Sequence, residues 1–180
     1  MISKVFCIVV NWLESDLIEV EVDINLWLPS FTIVWLPDQW VQESKERLRS
    51  ALKSSGYKLP TTKITVNLAP ADIRKTWPSF DLPIAVWILA NDGTIDENKI
   101  FLDSIFIWEL SLDWWLRPIN SVLPSVLWAK EKWYKNIFVP IDNYTEASFV
   151  DWINIYWVTN LSQLVDFLNW KITIQNPPKI

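Results

Sequence analysis

The sequence predicts an α+β domain organised on a mixed β-sheet, and three observations lead there. The chain has 180 residues and is 51% hydrophobic, enough for one domain with a substantial core. Ile18, Val20, Val22 and Ile24 alternate with Glu19, Glu21 and Asp23, the pattern of a half-buried antiparallel strand. Beyond that region helix-like and strand-like runs interleave to the C-terminus, which implies a sheet combining both kinds of pairing.

The elements follow in order. Residues 4–10 are an apolar strand-like run, 17–24 a second, and 31–34 a third after a turn containing Asn25, Pro29 and Ser30. Asp38 stands at a helix N-cap, and Val41, Leu48 and Leu52 recur at helical spacing up to Gly56. Residues 63–68 read as a strand, and 79–90 as a buried helix whose start Ser79 and Asp81 would cap. Residues 106–112 and 116–119 flank Asp113-Trp114-Trp115 as a hairpin. Pro124 suits the first turn of a helix ending at Lys132. A strand at 137–139 follows. Asn143 and Glu146 are spaced as an N-cap and its partner before a short helix. Residues 153–158 form the last strand, and Asn160 with Gln163 opens the last helix. The predicted domain is 3–170, and 171–180, with Pro177-Pro178, reads as a linker.

Composition excludes several functions. There is no histidine and a single cysteine, so a His-dependent triad, an internal disulfide and a zinc site are not expected. No metal site is predicted. Net charge −5 and a pI near 4.8 argue against a dedicated nucleic-acid binder, although a local basic face is compatible with them. Cys7 sits in an apolar run as a small hydrophobe. That run is too short to span a membrane, and the chain is expected to be cytoplasmic, without a membrane partner.

The chain carries 14 tryptophans and 2 glycines, whereas average usage would give about a dozen glycines. One helix-like run ends Lys53-Ser54-Ser55-Gly56-Tyr57-Lys58, and another ends Lys130-Glu131-Lys132-Trp133-Tyr134-Lys135. Trp133 stands where Gly56 stands, just past a helix, where a left-handed residue favours glycine. Trp170 follows the final helix in the same way. Trp114 and Trp115 occupy the place of glycines in a tight Asp-Gly-Gly turn. Trp87 and Trp128 fall within helices, at expected close contacts. The expectation is that most tryptophans mark UGA codons that the source organism reads as glycine, with Gly56 and Gly93 encoded by ordinary glycine codons.

Several stretches carry a family resemblance. They include Leu17-Ile18-Glu19-Val20-Glu21-Val22-Asp23, Leu28-Pro29-Ser30-Phe31-Thr32-Ile33-Val34-Trp35-Leu36-Pro37-Asp38, Pro78-Ser79-Phe80-Asp81-Leu82-Pro83-Ile84-Ala85 and Glu109-Leu110-Ser111-Leu112-Asp113. With Trp read as Gly, these resemble the N-terminal domain of the magnesium-chelatase-like AAA+ ATPases of the YifB/ComM group. The resemblance implies a fold shared with the proteolytic domain of Lon and the second domain of a small-subunit ribosomal protein. It also implies a parent protein that is a hexameric, ATP-driven DNA-processing motor, with DNA as a partner and ATP and Mg as its cofactors. This chain has no G-x-x-x-x-G-K-[ST] motif. The resemblance therefore assigns ATP to an AAA+ module outside it, no cofactor to the chain itself, and a non-catalytic role to the domain.

Candidate site residues are few. Trp77-Pro78-Ser79 resembles the Gly-Pro-Ser segment of Lon-type Ser-Lys proteases, which makes Ser79 the one candidate nucleophile and gives the alternative of a peptidase. Such a serine needs a lysine base, yet the resemblance puts Leu123 at the lysine position, leaving Lys130 or Lys132 in a shifted register. A third reading is a subunit-assembly domain of a chelatase-type ATPase. Lys45, Arg47 and Arg49 are candidates for DNA phosphates, against the plainer reading of a solvated helix face. Asn67 and Asp72 bound a candidate interaction loop. Asp72 with Asp81 makes a weak cation site, and Glu109 and Asp113 read as turn and edge residues.

Overall fold

A computed structural model describes residues 4–11, 14–34, 36–70, 80–96, 103–111, 115–120 and 122–174. Strands β1 (Lys4–Asn11), β2 (Glu14–Asn25) and β3 (Ser30–Ile33) precede helix α1 (Asp38–Ser54), and β4 (Lys63–Ala69) precedes α2 (Asp81–Asn91). Then come β5 (Ser104–Phe106), β6 (Glu109–Leu110), β7 (Leu116–Arg117) and α3 (Val122–Glu131). The chain continues through β8 (Asn136–Pro140), α4 (Tyr144–Ala147), β9 (Asn154–Val158) and α5 (Leu161–Leu168).

Seven strands form one sheet in the order β3-β4-β2-β1-β5-β8-β9. β2 pairs antiparallel with β1 and with β4, while β3–β4, β1–β5, β5–β8 and β8–β9 are parallel. The fold is α+β with a mixed sheet, as the sequence predicts. One expected hairpin arm is divided. Ser104–Phe106 enters the main sheet, and only Glu109–Leu110 turns back to pair with Leu116–Arg117. Asp113 and Trp114 of the expected turn lie outside the described residues.

Strand alternation sends side chains to two cores. Val5, Cys7, Val9, Ile18, Val20, Val22, Ile64 and Val66 pack under α1, α2 and α5. Ile8, Ile105, Ile137 and Val139 face the opposite way, against Val122, Val126 and Ala129 of α3 and Ala147 of α4. Every residue from Asp81 to Ala90 of α2 is buried. The helix therefore has no solvent stripe, and its apolar composition all round is what a central helix requires. Burial pushes the Cys7 thiol far up, consistent with a packing role.

Helix starts differ in part from expectation. Asp38 is the first residue of α1, preceded by Pro37, and makes no cap hydrogen bond; its contribution is negative charge in the first turn. Asn143 also makes no cap. Its Nδ2 donates to the Ile119 carbonyl at 2.9 Å and its Oδ1 accepts from the Ile119 N–H at 2.9 Å. Glu146 accepts from the Leu123 N–H at 3.1 Å, satisfying one orphan donor of the neighbouring α3. Asn160 does cap α5, accepting from the Gln163 N–H at 2.8 Å while the Gln163 amide oxygen accepts from the Thr159 N–H at 2.8 Å.

Helix ends repeat one device. After α1, Gly56 has φ +84°, its N–H donates to Lys53 O at 3.1 Å, and the Tyr57 N–H donates to Leu52 O at 2.8 Å. After α3, Trp133 has φ +64°, with Trp133 N–H to Lys130 O and Tyr134 N–H to Ala129 O both at 3.0 Å. After α5, Trp170 has φ +59°, with the equivalent bonds to Phe167 O and Asp166 O at 2.9 Å. These are Schellman endings, whose left-handed residue is usually glycine. Trp152, in the turn before β9, has φ +71°. Among the described residues, every non-glycine residue with positive φ is a tryptophan.

Candidate functional site

Asp81 opens α2 among apolar neighbours and is fully buried. A carboxylate there needs partners, and α1 supplies them. The Ser44 hydroxyl donates to Asp81 Oδ1 at 2.6 Å, and Arg47 Nε donates to Asp81 Oδ2 at 2.5 Å. Ser44 and Arg47 are three residues apart, so they share the face of α1 that meets α2. Burial pushes the Asp81 carboxyl up from its ordinary value, while Arg47 and Ser44 pull it back and the charge of Glu109 adds to the rise. Glu109 of β6 in turn lies 3.8 Å from Arg117 of β7, a largely exposed pair.

Arg47 is thus turned inward onto Asp81, and Asp81 accepts these bonds instead of capping α2, whose first turn has no side-chain cap. Ser44, Arg47 and Asp81 form a buried polar cluster; the sequence singles out Arg47 for DNA phosphates and Asp81 as a helix cap and cation ligand, and misses Ser44. The available signal was Asp81 itself, a charge within an apolar run.

Lys45 is half-buried and Arg49 exposed, and both line a cleft with Ser30 and Thr62. Asn67 lies within β4, not in a loop, and its Nδ2 donates to Glu21 Oε2 at 2.9 Å. That bond, more than any other cause, holds the Glu21 carboxyl below its ordinary value. Asp72, Ser79 and Asp113 lie outside the described residues. Leu123 sits in the first turn of α3, and Lys130 and Lys132 near its end. α3 packs on the sheet face opposite α2, so both lysines are across the sheet from the start of α2. Lys132 Nζ stands 5.9 Å from the Trp128 ring centroid, within cation–π range. Lys130 borders a groove of about 680 Å³ walled by Trp133 and Trp152. Among the described residues no cluster of three or more Cys, Asp or Glu could hold a metal, and no helix is long and apolar enough to cross a membrane.

The fold and this chemistry define an α+β domain in which a buried polar cluster joins two helices. The family described as subunit ChlI of Mg-chelatase matches residues 20–143. The chain is 39% identical to competence protein ComM of Haemophilus influenzae over 156 residues, which is 87% of this chain and 30% of that protein. It is 37% identical to YifB of Escherichia coli over 161 residues, 89% of this chain and 31% of that protein. A Mycobacterium tuberculosis protein is 35% identical over 167 residues, 93% of this chain and 33% of that protein. The chain belongs to the Mg-chelatase ChlI-like family, in its ComM/YifB group. It spans about a third of the length of these relatives.

Proposed function

We propose that the chain is a non-catalytic N-terminal domain of a magnesium-chelatase-like AAA+ ATPase that moves or remodels DNA. The observation that carries this reading is the match to ComM over 87% of the chain but only 30% of the relative. ATP and Mg belong, in this reading, to an AAA+ module of the same protein, working as a homo-hexamer. The domain serves as a platform that guides DNA or positions subunits. Salt-dependent binding of single-stranded or branched DNA tests it, since phosphate contacts weaken steeply as salt rises. Equal, negligible binding at all salt concentrations overturns the DNA part. The match to a chelatase subunit favours a second reading, an assembly domain. Self-association of the chain without DNA binding would select it. The peptidase alternative rests on Ser79, and labelling at Ser79 by a serine-reactive probe would replace both readings.

We further infer that Trp133, Trp152 and Trp170 stand at glycines of the natural product, encoded by UGA. Their positive φ angles support it, as does the identity of the bonds around Gly56, Trp133 and Trp170. Trp108 adds a different kind of support: it is 1% exposed and its indole N–H is buried with no hydrogen-bond partner. Buried indoles ordinarily find one. Mass spectrometry of the protein from its source, read across residue 133, decides the matter. Tryptophan there ends the inference.

A further inference from the structure

Lys45, Arg49 and Lys53 recur every four residues along α1, so they stand one above another on a single face. In a chain of net charge −5 this is a local reversal of sign. The first two line a cleft of about 80 Å³ together with Ser30 at the start of β3 and Thr61 and Thr62 before β4. By the same measure a water needs only about 10–15 Å³, so a tetrahedral oxyanion fits. The sheet holds the hydroxyl-bearing walls in place. The Ser30 N–H donates to the Thr62 carbonyl at 3.3 Å, and Ser30 is paired with Lys63 in the β3–β4 ladder.

One atom in this cleft lacks what its surroundings demand. Thr62 Oγ1 is buried and has no hydrogen-bond partner. A hydroxyl taken from water without compensation is unfavourable, and Thr62 lines the same cleft as Lys45 and Arg49. Arg49 has a 3.6 Å contact with Glu46, both more than half exposed, a pair too weak to hold it against a stronger anion.

The geometry points to a binding site for a phosphate oxyanion in this cleft, held by Lys45 and Arg49 with the hydroxyls of Thr62 and Ser30 as donors. None of the lining residues is a tryptophan, so the site is independent of the identity of those positions. It goes beyond the DNA reading, because the oxyanion can come from a nucleic-acid backbone or from free phosphate.

Backbone-amide NMR of the full chain, titrated with inorganic phosphate at constant ionic strength, tests the site. Saturable shifts are expected at Ser30, Thr61 and Thr62. Thr62→Val keeps size and fold and weakens binding about tenfold, the effect of one lost bond to a charged group. The double variant Lys45→Gln/Arg49→Gln abolishes it. Lys130→Gln/Lys132→Gln, which removes the same charge from α3, leaves it intact. A labelled single-stranded oligonucleotide separates the sources. Displacement by phosphate, with loss in the double variant, assigns a phosphodiester, and phosphate binding without oligonucleotide binding assigns free phosphate and sinks only the DNA reading. Absence of saturable shifts, or unchanged affinity in both cleft variants, overturns the site.

Discussion

Asp81 and the left-handed tryptophans show how much rests on single residues. Removing one partner of a buried ion pair leaves the other charge uncompensated, at about 3–5 kcal/mol. Arg47→Met should therefore destabilise the domain by about 3 kcal/mol at neutral pH, measured by urea unfolding. The sign of its pH dependence follows from burial. Asp81 binds its proton more tightly folded than unfolded, so its contribution favours folding in acid and is lost as pH rises through the raised folded value. In the Arg47→Met protein that rise is larger. The destabilisation should shrink as pH falls and Asp81 takes up a proton; a loss constant from pH 7 to pH 4 would contradict this account. A left-handed residue bearing a side chain costs about 1–2 kcal/mol, part of which glycine returns through its freer unfolded chain. Replacing Trp133, Trp152 and Trp170 together by glycine should raise Tm by about 6–10 °C. An unchanged or lower melting temperature would mean the indoles contribute packing of their own.

Elements that follow a strict period were legible from the chain. The Ile18–Ile24 alternation became the centre of β2, with Ile18, Val20 and Val22 buried, because a one-residue slip would expose that whole set. α1 was legible from helical spacing, and α5 from Asn160 and Gln163. What was not legible involved partners distant in sequence. Asn143 and Glu146 have the spacing of a local cap, but their bonds go to Ile119 and Leu123. Ser44 and Arg47 lie 37 and 34 residues from Asp81, and no local pattern joins them. The strand Ser104–Phe106 was not legible as an element of its own, and Phe106 falls in the expected hairpin arm because Phe106-Ile107-Trp108 reads as one apolar run. The α5 cap offers a direct test at this scale. Asn160→Ala should cost about 1 kcal/mol, read as faster amide exchange in the first turn of α5 with the rest of the sheet protected. Exchange unchanged at Gln163 would show that the Gln163–Thr159 bonds suffice.

At the scale of the molecule, charge is unevenly placed. The basic stripe on α1 sits in an acidic chain, and relatives sharing 34–39% identity with it include a protein named for competence. If the stripe meets DNA, the affinity should fall as a power of salt concentration, with a slope of about −2 for the phosphates that Lys45, Arg49 and Lys53 neutralise on a single strand. The double variant Lys45→Gln/Arg49→Gln should flatten it. A slope that survives would place the contacts elsewhere. The wall of the groove beside α3 bears on any practical use of this domain. Its two flanking indoles, 89% and 92% exposed, are the most conspicuous handholds on that side. A compound screened against protein that carries tryptophan at these two positions would grip them, and where the source ribosome inserts glycine, that compound would meet a bare ridge of main chain.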